Sequence, residues 1–338
     1  MVRALLAAVA LALLASPAPA QDAAAFDAWL ARYRSEAEAR GIPPAWQERA
    51  LADVRFTPRV IALDRAQPDD SGRRNVFADY LARRLTAARI AEGQRMLARW
   101  EAAARAAEQA HGVPAAILLG IWGMESDFGR FTGSFDVLSA LATLAFDGRR
   151  ADLFTRELDA AIRMVGEGRA SAAEMRGSWA GAMGQPQFLP SSYLAHAVDG
   201  DGDGRADIWT SVPDTLASIA NYLKAAGWQA AVPWGLEVRV PAGFDRARVA
   251  NPDVPTSCVR PLSRHSRPLA AGEWRALGFA PAAGGRWPAD DVPMTLVEPD
   301  GPEGAAYLTT ASYRALLAYN CSNFYALSVA LLADAVAR

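Results

Sequence analysis

Residues 113–124 form an almost wholly apolar run with a proline near its start, which is typical of a core helix rather than a strand. Glu125 follows the run directly, so its carboxyl group is expected at the C-terminal end of that helix, facing the negative end of the helix dipole. The neighbouring side chains of Trp122, Met124 and Phe128 exclude water. Because both effects raise the pKa of a carboxyl group, the pattern predicts that Glu125 is a general acid. A solvated glutamate at a helix end is the alternative that this local pattern leaves open.

The chain is long enough for a substantial hydrophobic core, since it has 338 residues. Its formal net charge is −2 at pH 7. Non-specific nucleic-acid binding requires a basic face, so a nucleic-acid partner is not expected.

Residues 1–20 have the composition of a secretory signal peptide. Arg3 precedes the apolar stretch 4–15, and the small-residue sequence 18–20 predicts cleavage before Gln21. A membrane-spanning helix needs about 20 apolar residues, so neither this stretch nor any later one is expected to span a membrane. We therefore expect an exported, periplasmic protein, and a monomer.

The rest of the chain divides into four regions. Residues 21–110 are rich in Ala, Arg, Glu and Leu and predict a helical N-terminal region. Residues 111–230 hold nearly all the motifs. Residues 231–310 contain many Pro and Gly residues and predict a small β-containing insertion. Residues 311–338 predict a C-terminal helix that returns to the core.

Local patterns place individual elements within these regions. Helical periodicity is clear at 77–85, 90–107 and 214–226. Short alternating runs at 236–240 and 294–297 are typical of strands.

The two cysteines, Cys258 and Cys321, are too few for a cysteine-based zinc site. An oxidising compartment permits them to pair, but their spacing alone leaves the pairing open. The three histidines, His111, His196 and His265, are scattered singly and predict no metal site.

The segment 177–193, GSWAGAMGQPQFLPSSY, concentrates glycine with polar and aromatic residues. Glycines let a backbone approach a ligand closely, amides and hydroxyls supply donors and acceptors, and aromatic rings stack on sugars. A tight turn between helices is the alternative. The candidate binding residues here are Ser178, Gln185, Gln187 and Tyr193.

The sequence DGDGDG at 199–204 reproduces the first half of an EF-hand loop, with oxygen ligands at positions 1, 3 and 5 and a glycine at position 6. The bidentate acid expected at position 12 is a threonine, so we expect weak binding of a structural calcium ion. An Asp/Gly turn without an ion is the alternative. The candidate ligands are Asp199, Asp201, Asp203, the carbonyl of Arg205, Asp207 and Thr210.

Four motifs in order resemble the lytic murein transglycosylase B family, glycoside hydrolase family 103. They are GMESDFGR (123–130), LSALATLAFDGRR (138–150), the glycine-rich segment 177–193, and ANYLKAAGW (220–228). The match runs from about Tyr80 to Trp228 and resumes at Tyr319.

The resemblance implies an α+β, mainly α fold with a lysozyme-like, SLT-type catalytic core. It also implies cleavage of the β-1,4 bond between N-acetylmuramic acid and N-acetylglucosamine in peptidoglycan, with 1,6-anhydromuramoyl ends and no cofactor for catalysis. Glu125 matches the single catalytic acid/base, and the Asp/Gly loop matches a metal loop of the family. Gln185 stands where an aromatic residue is expected. The residues that match the saccharide cleft are Ser178, Gln187, Tyr80, Arg149, Arg150, Tyr222, Tyr319 and Asn320.

A single carboxylate is compatible with this chemistry, because the N-acetyl and C6 hydroxyl groups of the substrate replace a second one. Asp127 and Asp136 are the nearest rivals, and capping or salt bridging is the better prediction for Asp127. Arg149 and Arg150 suit the carboxylates of a murein strand, although solvated helix-start residues are the alternative. A muramidase and an inactive peptidoglycan-binding scaffold are the competing functions.

Overall fold

A computed structural model describes residues 19–67, 76–282 and 285–338. The predicted signal peptide therefore lies outside the described residues, apart from its last two positions. The chain is mainly helical with small sheets, as predicted.

Eleven of the described helices precede the main sheet. They are α1 (Pro19–Ala39), α2 (Pro44–Leu51), α3 (Pro58–Arg65), α4 (Phe77–Arg84), α5 (Ala87–Arg99), α6 (Glu101–His111), α7 (Ala115–Ser126), α8 (Val137–Asp147), α9 (Ala151–Gly166), α10 (Pro190–His196) and α11 (Val212–Ala225). Two strands, β1 (Phe135–Asp136) and β2 (Arg176–Gly177), pair antiparallel before α8 and after α9.

Several helix ends follow from local side chains. Thr86, Asp136 and Ser211 each accept a hydrogen bond from a backbone N–H in the first turn of α5, α8 and α11 respectively. Gly112 takes the left-handed conformation that ends α6. The predicted helix 90–107 is interrupted at Trp100, where α5 ends and α6 begins.

The helices pack into two hydrophobic cores. The first is built from buried side chains of α6, α7 and α11 together with two C-terminal helices, α14 (Ala311–Tyr319) and α15 (Asn323–Val336). The second joins α1 to α3 with α8, α9 and α10. Each core therefore draws helices from both sides of residue 110. The rings of Tyr222 and Tyr319 pack against both cores and mark the seam between them.

A five-stranded antiparallel sheet encloses a third core, which includes Trp274 and Leu308. The strands lie in the order β4-β6-β7-β3-β5, with Leu296 opposite Leu308 and Leu308 opposite Leu236. The elements of this unit are β3 (Gly235–Arg239), a 3₁₀ helix (Arg246–Val249), α12 (Val259–Leu262), β4 (Leu269–Ala270), α13 (Ala271–Ala276), β5 (Ala280–Pro281), β6 (Pro293–Val297) and β7 (Ala306–Thr309).

The C-terminal segment, predicted as one helix, is two helices bent by 115° at residues 320–322. Asn320 has an extended backbone, and Ser322 caps α15 by accepting a hydrogen bond from the N–H of Tyr325. Between them, Cys321 forms a disulfide with Cys258 at the start of α12. Polar capping and the covalent link together explain the break.

No single helix among the described residues is long and apolar enough to cross a membrane. In the part of the chain that the structure describes, α14 and α15 together reach that length and composition, as a bent pair.

Close packing of α7 on α15 depends on two glycines. A Cβ on Gly120 would lie 2.7 Å from the carbonyl oxygen of Val329, and one on Gly123 would lie 3.2 Å from Leu332 and 2.7 Å from Phe128. Real Cβ atoms essentially never come within 3.0 Å of such atoms, so Gly120 is required for the approach of α7 to the α15 backbone, and Gly123 leaves room for the ring of Phe128.

We expect Gly120→Ala to lower the free energy of unfolding by about 1–3 kcal/mol, because the added methyl group meets backbone that cannot move aside. Alanine is otherwise favoured over glycine inside a helix by about 1 kcal/mol. Gly272→Ala in α13 is the matched control, since its new Cβ has only ordinary contacts at 3.4 Å or more. Urea denaturation of both variants tests the expectation, and a neutral or stabilising Gly120→Ala contradicts it.

Candidate active site

Glu125 is the penultimate residue of α7 and is partly buried at the seam between the two helical cores. Trp122, Met124 and Phe128 are all buried, as the sequence predicts. Burial is the largest influence on the Glu125 carboxyl group and raises its pKa to about 7, against the weaker opposing effects of the Tyr325 hydroxyl and the Arg84 guanidinium. Near neutral pH the group therefore exists in both protonation states, which suits proton transfer in either direction.

Two tyrosines from the C-terminal helices complete the surroundings of Glu125. Tyr325, near the start of α15, has a buried hydroxyl close to the carboxyl group that makes no regular hydrogen bond within the described residues. Burial and the neighbouring Glu125 raise the pKa of both Tyr325 and Tyr319. Tyr319 is among the residues predicted from the sequence, whereas Tyr325 and Arg84 are not. No local sequence pattern marks Tyr325, because its closeness to Glu125 depends on the packing of α15.

Asp127 does not share the site of Glu125. It adopts a left-handed conformation at the end of α7 and pairs with Arg89 and Arg130. Burial raises its pKa, but the two arginines outweigh this and hold it below the usual range. The predicted salt-bridging role is confirmed. Asp136 accepts a hydrogen bond from the N–H of Ser139 as the cap of α8, so it is also committed to structure.

No carboxylate of the described residues acts electrostatically on Glu125; the charged group that does so is Arg84. Phe128 and Gly129 continue the left-handed backbone of Asp127, so the acid is followed by three residues with positive φ. Such conformations cost energy in residues other than glycine and cluster at functional sites.

The glycine-rich segment forms a tight loop that borders the site. The Ser178 hydroxyl accepts a hydrogen bond from the N–H of Ala182 and is partly exposed. Gln187 is also partly exposed and has a positive φ, and its side-chain amide donates to the carbonyls of Thr132 and Gly184. Both residues therefore present polar atoms on a rigid loop surface.

Aromatic rings line the seam beside this loop. The rings of Tyr222 and Tyr319 meet edge to face with centroids 4.7 Å apart, and each lies within 6 Å of Phe188. Their hydroxyls donate to the backbone carbonyls of Ala318 and Pro186, respectively. The two tyrosines are partly buried, so these bonds hold ring surface in place at the seam.

Two predicted binding residues lie elsewhere. Gln185 is buried, with its side-chain oxygen accepting from Trp122 Nε1 and its NH₂ group donating to the carbonyl of Trp209. Tyr193 is buried and donates to the carbonyl of Ala206. Both side chains satisfy hydrogen bonds in the core, and their assignment as binding residues stays a prediction.

Arg149 and Arg150 share one buried carboxylate. Arg149 binds Asp64 through both Nε and Nη2 at 2.6 Å, and Arg150 pairs with the same group. The Arg150 guanidinium also lies over the ring of Phe154. Both guanidinium groups remain partly exposed. Both arginines therefore have a structural role, because their ion pairs with Asp64 hold α3 to the start of α9.

Tyr80 and Asn320 lie on α4 and in the turn after α14, respectively. Tyr80 in α4 is partly buried, with its ring against Phe324 and under the guanidinium of Arg84. Asn320 is exposed in the turn between α14 and α15.

The Asp/Gly loop brings together three of its predicted metal ligands. Carboxylate oxygens of Asp199, Asp201 and Asp203 lie within 4.8 Å of one another and are exposed. Asp207 and Thr210 instead bond each other, and Asp207 also accepts from the N–H groups of Trp209 and Thr210. These two side chains shape the turn that leads into α11, and their assignment as ligands stays a prediction.

Asp214 anchors this loop and was missed by the sequence analysis. It is fully buried, and its carboxylate accepts hydrogen bonds from the N–H groups of Gly200, Asp201 and Asp207. Its place in the first turn of α11, three residues after the cap Ser211, is the available signal. The loop backbone is therefore held in shape by the protein itself.

Comparisons with known proteins identify the family to which the chain belongs. The model of the transglycosylase SLT domain family matches residues 25–334. Membrane-bound lytic murein transglycosylase B of Escherichia coli K12 is 40% identical over 159 residues, which are 47% of this chain and 44% of that protein. The aligned part thus spans less than half of this curated relative.

Solved structures match over much more of the chain. SltB3 from Pseudomonas aeruginosa, in complex with NAG-anhNAM-pentapeptide, has a TM-score of 0.82 at 40% identity, covering 92% of this chain and 79% of that one. The E. coli lytic transglycosylase Slt35, in complex with calcium, has a TM-score of 0.70 at 28% identity, covering 91% and 92%. With a buried carboxyl group at the end of α7, a fold shared with these enzymes and a family match across nearly all of its length, the chain belongs to the SLT-domain transglycosylase family.

Proposed function

We propose that this chain is a lytic transglycosylase that cleaves the β-1,4 bond between N-acetylmuramic acid and N-acetylglucosamine in peptidoglycan and leaves a 1,6-anhydromuramoyl end. The observation that carries this proposal is the lone Glu125 carboxyl group, with a pKa of about 7 and no carboxylate partner among the described residues. The related SltB3 structure contains an anhydromuramoyl ligand, which supports the same product here.

The proposed reaction starts with protonated Glu125 donating its proton to the glycosidic oxygen as the C1–O bond breaks. The carbonyl oxygen of the muramic acid N-acetyl group stabilises the positive charge at C1. Ionised Glu125 then takes the proton from the C6 hydroxyl as that oxygen bonds to C1. The acid is restored, and no water is consumed.

The absence of a nearby second carboxylate favours this lyase over a muramidase. Glycosidases that use water or a protein nucleophile pair two carboxyl groups across the bond. Asp127 and Asp136, the nearest candidates in sequence, are held by arginines and by a helix N-terminus.

We infer that the glycan strand lies along the seam between the two helical cores. Polar contacts would come from the loop residues and the turn between α14 and α15, and ring surface from the tyrosines. The partly exposed faces of Arg149 and Arg150 would bind carboxylates of the strand. The proposed contact residues on the seam are Ser178, Gln187, Tyr80, Tyr222, Tyr319 and Asn320.

We also propose that the Asp/Gly loop binds a structural calcium ion through Asp199, Asp201 and Asp203. Three clustered carboxylates on a preshaped loop suit this ion, and the related Slt35 structure contains calcium. An ion there would neutralise the clustered charge and link the start of the loop to α11. It would take no part in catalysis.

Export to the periplasm as a monomer remains our proposal for the location and state of the protein. It is supported by the signal-like N-terminal sequence and by a disulfide, which forms in oxidising compartments.

Glu125→Gln is expected to lower the yield of anhydromuropeptides from purified peptidoglycan by about 10²- to 10⁴-fold, because the amide cannot donate the proton. Glycan binding is expected to persist, since the amide keeps the shape of the side chain. Mass spectrometry of the products and a sedimentation assay of binding measure the two effects.

Asp127→Asn is the control for this substitution, because it removes a neighbouring carboxylate that has no place in the reaction. It should retain anhydromuropeptide products. An active Glu125→Gln enzyme would refute the role of the acid, and products with a reducing muramic acid end would identify a muramidase.

The pH dependence of activity follows from the requirement for a protonated acid. Since the pKa of Glu125 is about 7, kcat/KM should fall about tenfold for each pH unit above 7. A rate that stays constant from pH 7 to 9 would contradict this assignment.

The raised pKa of Glu125 also predicts that the difference in free energy of unfolding between the wild type and Glu125→Gln depends on pH. The folded state binds the Glu125 proton more tightly than the unfolded state. The contribution of this protonation to the free energy of unfolding is therefore fully present below pH 4.5 and is lost as the pH rises to 7. Glu125→Gln should therefore gain stability over the wild type across this window, by about 3 kcal/mol at most. Urea denaturation at pH 4, 6 and 8 measures the gain, and Glu48→Gln at an exposed position serves as the control. An equal effect of both variants would contradict the shift.

Calcium at 10 mM should raise the melting temperature by about 2–5 °C relative to a chelator-treated sample. Asp201→Asn should remove most of this response, because it deletes one charged ligand. Glu174→Gln, a nearby charge outside the carboxylate cluster, should retain it. An unchanged melting temperature in the wild type would count against the ion.

A further inference from the structure

A buried polar chain runs from the five-stranded sheet to the first residue of α15. Thr309 on β7 and Thr295 on β6 bring their hydroxyl oxygens within 3.0 Å, and His265 Nδ1 lies 3.0 Å from the hydroxyl of Thr295. His265 Nε2 lies 3.0 Å from Asn323 Oδ1. All four residues are at least nine-tenths buried. An unpaired polar group is energetically costly in such buried surroundings. These hydrogen bonds therefore strongly constrain the relative positions of the four residues.

The direction of these hydrogen bonds follows from the chemistry of Asn323. Its Oδ1 only accepts, and the Tyr313 hydroxyl already donates to it at 3.0 Å. His265 Nε2 must therefore carry the proton, which leaves Nδ1 to accept from Thr295. Burial lowers the pKa of His265 to about 4, so the neutral form and this arrangement persist across the range in which Glu125 titrates.

The side-chain NH₂ group of Asn323 links the first turn of α15 to α12. This group donates to the carbonyl of Pro261 at 3.0 Å. The disulfide between Cys258 and Cys321 joins the same two segments two residues earlier. The start of α15 is thus held to the sheet unit by one covalent link and by hydrogen bonds at both ends of one amide.

Tyr325 lies two residues beyond Asn323, in the first turn of α15. Its hydroxyl is buried near Glu125 without a regular hydrogen bond within the described residues. The distance of this hydroxyl from the carboxyl group therefore depends on the position of the helix turn that carries it.

We propose that His265 and Asn323 are positioning residues, which hold the first turn of α15 so that the hydroxyl of Tyr325 stays directed at the carboxyl group of Glu125. This inference rests on the proposed function, in which Glu125 is the acid. Through these residues the sheet unit, which supplies no group to the reaction itself, controls the strength of that acid.

Other charged or titratable groups near Glu125 come from different elements. Arg84 on α4 lowers its pKa, Tyr319 faces it from α14, and Tyr80 on α4 faces Tyr325. Arg89 on α5 is engaged with Asp127. None of these groups contacts the chain from Thr309 to Asn323 within the described hydrogen bonds, so changes in that chain reach Glu125 through α15.

The pKa of Glu125 measured directly by NMR tests this proposal without substrate. Protein labelled with ¹³C at the glutamate carboxyl carbon is titrated, and the resonance absent from Glu125→Gln identifies the acid. Tyr325→Phe should raise the pKa by roughly half a unit or more, because a donor to the charged form is lost. His265→Ala and Asn323→Ala should shift it in the same direction, and His265→Gln, which keeps an N–H donor, should remain closer to the wild type.

Combining His265→Ala with Tyr325→Phe should give no shift beyond that of Tyr325→Phe alone, since both act through the same hydroxyl. Trp274→Phe is the matched control, because it removes a buried hydrogen bond to Met294 in the same sheet unit without touching the chain. It should lower stability and leave the pKa unchanged. If His265→Ala does not fold, Tyr313→Phe removes the other donor to Asn323 and answers the same question.

An unchanged Glu125 titration in His265→Ala and Asn323→Ala, with only a loss of stability as in Trp274→Phe, would overturn the proposal. Loss of the proposed function is a separate outcome, since it would appear as activity retained in Glu125→Gln whatever the titration shows.

Discussion

The contact between α7 and α15 is the constraint on which the active site depends. Gly120 and Gly123 let the two helices approach closely, and that approach removes water from the end of α7. A glutamate at an exposed helix end ionises near its usual value, whereas Glu125 lies against Tyr325 and has a pKa of about 7. Packing of the core therefore sets the pKa of Glu125, and a change that loosens the helix pair should lower both the stability of the protein and that pKa.

Sequence patterns correctly predicted the elements that depend on neighbouring residues. The apolar run before Glu125 predicted α7 and its terminal acid, and the alternating run at 294–297 predicted β6. The burial of Gln185 and Tyr193 could not be predicted, because the glycine-rich segment has no helical or strand period and its polar and aromatic residues give no sign of which face the core. Tyr325 could not be predicted as a neighbour of Glu125, because their closeness depends on how α15 packs. The residues around Tyr325 in the sequence do not indicate that packing.

Contacts of charged groups could likewise be predicted only where the residues are close together in the sequence. The Asp/Gly repeat predicted the cluster of Asp199, Asp201 and Asp203, since those ligands are close in sequence. The buried Asp64, which binds both Arg149 and Arg150, lies 85 residues from the first of them. Ion pairs of this kind follow from the packing of α3 against α8 and α9, and periodicity does not reveal them.

The separation of Glu125 from Tyr325 along the chain has a consequence for synthesis. A ribosome makes the acid about 200 residues before the helix that buries it, so on the growing chain Glu125 is an ordinary solvated glutamate. Its pKa rises only when α15 docks and buries it. The proton donor that we propose therefore depends on completion of the fold, and partly made or partly folded molecules carry Glu125 with an ordinary pKa.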